Sequence, residues 1–286
     1  MKPKKLNIPS RIYLFLVYLM LYTPIAVLII FSFNKGNSTS ILTGFSLNWY
    51  YELFRDAATM EALKNTLVLA VLSSIISTVL GTLTTVGYVK SKTKWYKRAL
   101  KTATNIPMMN PDIVTGISMM LLFVFAGSLM GRKGVLGFGT MLIAHITFQL
   151  PYVILNIIPR FRNSDPYLTE AAIDLGCTPS QAFFKITMPQ IKPGIISGLL
   201  MAFTLSLDDF VISYFVCGPD YQTLPIRIYS MTKKRVTPDI YALSTLMFVT
   251  MLVLLILVNL SEDGERKTKR KRRKIEELEM GKELET

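Results

Sequence analysis

Apolar positions in this chain fall into six blocks of roughly 20 residues, at about 12–33, 67–89, 113–130, 140–158, 194–216 and 240–260. An α-helix rising ~1.5 Å per residue needs that length to cross ~30 Å of hydrocarbon. The blocks are continuous and lack the ~10-residue alternation of barrel strands, and in lipid each segment must pair its own backbone N–H and C=O groups. The pattern predicts an all-α, polytopic membrane protein with six transmembrane helices. It divides the chain into an N-terminal stretch at 1–11, a membrane domain at 12–260 that includes a long loop at 161–193, and a charged tail at 261–286. The first block follows Lys2, Lys4, Lys5 and Arg11, as in a secretory signal. Its apolar run is longer than a signal core and no small-residue cleavage site follows, so an uncleaved first helix is expected.

Charge gives the blocks a direction. With both termini cytoplasmic, 23 of the 32 Lys and Arg residues fall inside and nine outside, which is the distribution the positive-inside rule requires. The formal net charge of +13 does not point to nucleic acid, because the basic run at 269–274 follows the last block, where it serves topology and contact with anionic lipid. One outer loop runs against the rule with Lys233, Lys234 and Arg235, and these are expected to meet an extracytoplasmic protein rather than the solute. Cys177 and Cys217 lie at opposite ends of the fifth block and cannot bridge. His145 is the only histidine; it is either a hydrogen-bonded interior residue or a proton relay, and with no second ligand at metal spacing no metal site is expected. No phosphate-binding Gly-x-x-x-x-Gly-Lys run occurs and no catalytic residue is expected.

The loop between the fourth and fifth blocks carries the most specific pattern. Glu170, Ala171 and Ala172 are followed after three residues by Gly176, and after nine more by Ile186, Met188 and Pro189. Physically this is a short helix capped by Thr169 behind Asp165 and Pro166, a left-handed turn at Gly176, and a second segment starting at Pro179 and ended by proline. Glu170 offers a charge, the two alanines allow close backbone approach, and Phe183 and Phe184 supply apolar anchors. The spacing resembles the coupling motif of ATP-binding-cassette importer permeases, with Met188 in place of the usual leucine, a volume-conserving change. The resemblance implies the MetI-like permease fold and a loop that docks into a separate ATPase subunit, present in two copies, which binds ATP and Mg; this chain itself would hold no cofactor.

The fifth block ends in Leu205, Ser206, Leu207, Asp208, Asp209, Phe210 and then Ser213, Tyr214 and Phe215. A carboxylate near the centre of a bilayer costs on the order of 2.5–3.5 kcal/mol. Either the pair is matched by a cation or backbone donor of another helix, or at least one carboxylate faces a water-filled path and attracts a cation that the nearby aromatics can hold. Adjacent residues differ by ~100° around a helix, so the two need not share a face. This run, with the segments at 224–231 and 237–243 and the Asn110-Pro111-Asp112 stretch, is similar to permeases of polyamine (spermidine/putrescine) importers. That implies a bacterial plasma-membrane subunit paired with a second, related permease and fed by an extracytoplasmic polyamine-binding protein. Asp208, Asp209, Tyr214, Phe215, Asp220 and Tyr221 are then the candidate substrate path. Importers of ferric iron or an anion share much of this layout, and a channel or secondary transporter working alone is the remaining alternative. The first outer loop, with Trp49, Tyr50 and Tyr51, is either an amphipathic surface element or an interfacial aromatic belt.

Overall fold

The computed structural model describes residues 8–36, 41–233 and 238–256. The basic N-terminal residues Lys2, Lys4 and Lys5, the loop cations Lys234 and Arg235, and the tail at 261–286 lie outside the described residues. Six helices are long and apolar enough to cross a membrane, at Pro9–Ser32, Ala57–Lys90, Asp112–Leu129, Phe138–Arg162, Pro179–Asp208 and Pro238–Ile256. No strand is present among the described residues beyond an isolated bridge between Asn34 and Phe45. The fold is all-α, as the hydropathy pattern requires.

In chain order the helices are α1 (Ile8–Ser32), α2 (Asn48–Arg55), α3 (Ala57–Lys90), α4 (Lys94–Met109), α5 (Asp112–Leu129), α6 (Phe138–Arg162), α7 (Pro166–Asp174), α8 (Pro179–Ala182), α9 (Met188–Asp208), α10 (Val211–Val216), α11 (Leu224–Thr232) and α12 (Pro238–Ile256). Two compact units share them: Met1–Glu61 with Arg227–Thr250, and Ala62–Ile226 with Met251–Thr286.

The first unit is organised by aromatic residues folded back on the end of α1. The Trp49 indole donates to the Asn34 carbonyl at 2.7 Å, Tyr50 and Ser32 share a hydroxyl contact at 2.8 Å, and the Phe33 ring lies 5.3 Å from that of Tyr50 and 5.4 Å from that of Phe45. The segment thus forms a short amphipathic helix, α2, that is anchored to α1. Asp56 follows it and accepts from the Ala58 N–H and the Thr59 hydroxyl, so α3 starts there and not near residue 67. The earlier start escapes a hydropathy reading because the first turns of α3 carry Thr59, Lys64 and Asn65; yet Thr59 is buried, its polarity absorbed by Asp56.

In the second unit α6 packs along α9, with α3 against both. Val153 of α6 is the wedge. A Cβ placed on Gly81 of α3 would lie 2.6 Å from a Val153 methyl, and one on Gly198 of α9 would lie 3.4 Å from it. Gly194 faces Arg160 and the Asn156 carbonyl in the same way. Helix association in lipid depends on such close approach by small residues. Around this seam Val153, Ile157, Phe161, Ile191 and Ala202 form one core cluster, and Leu69, Met141, Ala144, Ile212 and Val216 form another. The loop's second segment, expected to end at Pro189, does not end there, and another helix likewise passes a proline. α6 runs through Pro159 to Arg162, and α8 and α9 join through a π-helical turn at Phe183–Thr187 that carries the helix past Pro189. The wider π turn has already interrupted the i→i−4 ladder, so a proline just beyond it breaks little that was intact.

Candidate functional site

Two features concentrate chemistry, both in the second unit. The first is the loop between α6 and α9. Its cap is Asp165, whose carboxylate accepts from the Tyr167 N–H at 2.9 Å with Pro166 in the first turn. Thr169, expected as the cap, instead lies inside α7 and shares a hydroxyl contact with Thr187 at 3.3 Å. Asp165 wins because it stands before the proline that must open the helix. Gly176 has φ +93°, the left-handed conformation a side chain resists, and no atom crowds it. Thr178 then caps α8 in a reciprocal box with Gln181. Of the residues singled out in this loop, Glu170 and Ala171 are exposed, Ala172 is buried against the following turn, Ile186 is half-buried within the π turn and Pro189 is exposed at the start of α9. Phe183 and Phe184 divide: Phe184 is 65% exposed, while Phe183 lies under the Lys90 ammonium at 5.1 Å. Tyr167 and Leu175 are 74% and 87% exposed and extend this apolar surface, which the spacing of the motif did not single out.

The second feature is a break in the fifth membrane helix. α9 ends at Asp208, Asp209 has extended backbone (ψ 115°), and α10 resumes at Val211. The two carboxylates therefore stand at an interruption rather than within a continuous span. Their environments are opposite. Asp208 is exposed, and Asp112 at the head of α5 lies within electrostatic reach of this carboxylate and, separately, of Tyr152 of α6. The Asp209 side chain is 8% exposed and accepts from the Ser213 hydroxyl at 2.8 Å and from the N–H groups of Ser213 and Ile212 at 2.7 and 3.2 Å. It also lies 3.4 Å from His145 Nε2. Asp209 is thus matched by donors within the protein, the first of the two alternatives, and Asp208 is exposed.

The rest of the candidate path separates likewise. Tyr214 is 44% exposed and its ring lies 5.4 Å from that of Phe210, and Asp220 is exposed. Phe215 instead packs on α5, where its ring would meet a Cβ on Gly116 at 2.9 Å. Tyr221 donates to the Asn65 carbonyl at 2.9 Å and its ring lies 5.1 Å from that of Phe138; burial pushes its phenol up to about 12. Phe215 and Tyr221 are thus half-buried, each in contact with a neighbouring element.

His145 is an interior residue with both ring nitrogens occupied. Nδ1 lies 2.7 Å from the Ser206 hydroxyl of α9, and Nε2 lies 2.9 Å from the Ser213 hydroxyl of α10. From Ser206 the contacts continue to Ser73 of α3 at 3.2 Å, to Gln149 of α6 at 3.1 Å and to Ser77 at 3.1 Å. Sequence reasoning missed these partners, and it missed Tyr152. The signal was present: α3 carries buried hydroxyls at Thr59, Thr66 and Ser73, seven residues apart, with Ser77 one turn further on, and Gln149 lies one turn from His145.

Residues 77–263 match the family described as "Binding-protein-dependent transport system inner membrane component". The chain is 41% identical over 239 residues to the putrescine transport system permease protein PotI of Escherichia coli K12, covering 83% of this chain and 85% of that one. It is 39% identical over 248 residues to the spermidine/putrescine transport system permease protein PotC of Haemophilus influenzae, covering 87% and 94%. Among solved structures, a chain of a bacterial ABC transporter that imports alginate superposes with a TM-score of 0.68 at 19% identity over 91% of this chain and 93% of that one, a likeness of fold. With well over half of its length matched by the family and such relatives on either side of 40% identity, the chain belongs to the binding-protein-dependent transport inner-membrane components, the multi-pass permease subunits of ATP-binding-cassette importers.

Proposed function

We propose that this permease imports polyamines, and that the open Asp208 at the break in the fifth helix is the group that meets them. A polyamine is a flexible polycation. It needs a negative charge in the low-dielectric part of its path to offset desolvation, and aromatic faces to hold its ammonium groups and methylene segments. Asp208 supplies the charge, Asp112 lies within electrostatic reach, and the paired rings of Phe210 and Tyr214 follow directly after the end of α9. The names of the relatives point the same way.

In this reading both termini are cytoplasmic, as the distribution of Lys and Arg favours. The α7–α8 loop then faces the cytoplasm and presents Glu170 and Ala171, with the exposed Tyr167, Leu175 and Phe184, to an ATPase subunit. Two copies of that subunit bind ATP and Mg, a second related permease completes a heterodimer, and an extracytoplasmic receptor delivers the solute. Closure of the ATPase pair moves the loop, and α8, the π turn and α9 carry the movement to Asp208.

Uptake of radiolabelled spermidine and putrescine, set beside ferric iron and an anionic solute, tests the proposal in cells with and without this chain. Polyamine uptake should require the chain and fall about tenfold in Asp208→Asn at equal membrane abundance, the loss expected when a carboxylate partner of a cation is removed. A requirement for the chain in uptake of iron or the anion alone would overturn it.

A further inference from the structure

We propose that His145 is a positioning residue for transport: it ties α9 to α10 across the break at Asp209 and Phe210 and so fixes where Asp208 stands. The inference rests on the reading of Asp208 as the carboxylate that meets the solute.

A break in a membrane helix removes the hydrogen bonds that would hold its two halves in line, so their angle must be set by something else. Here the carboxylate of Asp209 takes the first free N–H groups of α10, which stabilises that short helix but does not bind it to α9. The link between the halves is a side chain from a different helix. His145 contacts Ser206, two residues before Asp208, through one nitrogen and Ser213, two residues after Val211, through the other.

The hydrogens in this cluster can be assigned from the ends inward. A carboxylate has none to give, so the Ser213 hydroxyl donates to Asp209 and its oxygen is left to accept from His145 Nε2–H. With the hydrogen on Nε2, Nδ1 accepts from the Ser206 hydroxyl. Ser206 then accepts from Ser73, Ser73 from the Gln149 amide, and the Gln149 carbonyl from Ser77. Six hydrogens point the same way, from α3 through α6 and α9 to the carboxylate after the break. The serines, Gln149 and His145 are buried; Ser73 and Ser77 also reach the Ala70 and Ser74 carbonyls of their own helix, whereas Ser206 and Ser213 are committed to the imidazole and the carboxylate. The bridge is thereby held from α3 as well as α6, and the angle at the break is fixed by a set of bonds with His145 at its centre.

The test uses the assembled transporter in proteoliposomes with its ATPase, partner permease and receptor, and reads solute imported per ATP hydrolysed. His145→Leu removes both bonds at once. It should lower that ratio about tenfold while receptor-stimulated ATP hydrolysis per assembled complex stays near that of the parent; Gln, which keeps one acceptor and one donor, should restore most of the loss. A residue with only a structural role would instead reduce the amount of complex and leave the ratio unchanged, and that result would overturn the proposal. Should His145→Leu fail to assemble, Ser206→Ala, which removes only the partner of Nδ1, carries the same comparison. The double variant His145→Leu with Asp208→Asn separates this inference from the one beneath it. If His145 acts through Asp208, the double variant transports no worse than Asp208→Asn alone. Losses that multiply would overturn the positioning role and leave the Asp208 reading intact. An Asp208→Asn variant with undiminished uptake would remove the reading itself, and the proposal with it.

Discussion

The contact of Val153 with Gly81 and Gly198 yields the sharpest structural expectation. Adding one methyl group at Gly81 places a Cβ 2.6 Å from the nearer Val153 methyl and 3.1 Å from its Cβ. Carbon atoms in contact prefer ~3.5–4.0 Å, so α3 and α6 would have to separate by about 1 Å or Val153 would have to leave its rotamer. Val153 cannot give way easily, because it is fully buried and the same methyl group and its backbone lie against Gly198. Overpacking of this kind costs about 1–3 kcal/mol, which for a chain of this size corresponds to a fall of roughly 3–10 °C in apparent melting temperature. Gly81→Ala should therefore lower the melting temperature followed by size-exclusion chromatography in mild detergent. Val153→Ala should also be destabilising, through the gap it leaves on both sides. Combined, the two should recover part of the loss, since the added methyl occupies space that the valine vacates. A melting temperature for Gly81→Ala equal to the parent, or a double variant whose losses simply add, would refute the wedge.

Two further expectations concern the loop and the first unit. Gly176→Ala meets no atom within 4 Å, so its effect comes from the left-handed backbone alone, about 1–2 kcal/mol, and should appear as faster proteolysis at the α7–α8 junction with α9 unaffected; unchanged cleavage would count against the turn. Asp56 is held below the usual carboxylate range by the Thr59 hydroxyl, against the opposing effect of burial, with the Arg227 guanidinium 3.0 Å away adding to the lowering. A carboxylate with a lowered folded pKa contributes stability that is complete above its unfolded value near ~3.9 and is lost as pH falls through the folded value. The melting temperature of the parent should thus fall more steeply than that of Asp56→Asn below about pH 4, and parallel curves would contradict the assignment.

The six spans were legible because lipid admits so few solutions: an apolar run of ~20 residues has to be a helix. The loop was legible too, since Gly176 and Pro179 act through their own backbones. Reading stopped where partners come from elsewhere in the chain. The apolar pattern runs unbroken through residues 210–216, so the end of α9 at Asp208 is invisible to hydropathy; it is set by Asp209 accepting the N–H groups of Ile212 and Ser213. That Asp208 and Asp209 differ in direction follows from helical geometry, but which of them is buried is decided by His145 and Ser213. Thr169 was mistaken for a cap because a threonine before an apolar run has the right composition, while Asp165 also has the right place relative to Pro166. The buried hydroxyls of α3 read as neutral in any hydropathy average, and only their spacing betrays a common face.

Under the proposed coupling, the π turn at Phe183–Thr187 bears on how force passes along the fifth helix. From Pro179 to Asp208 the chain is one rod of 30 residues, ~45 Å long at ~1.5 Å per residue. A rod of that length pivoting near its loop end amplifies small angles, since a tilt of about 5° displaces the far end by about 4 Å. Five residues with a looser hydrogen-bond ladder near the pivot make that joint the most compliant point of the lever. Beyond it Val153 packs on Gly198, and α9 ends at the break that His145 spans. Under the proposed coupling, yielding is concentrated beside the loop, while the far end next to Asp208 is held in line by the His145 bridge.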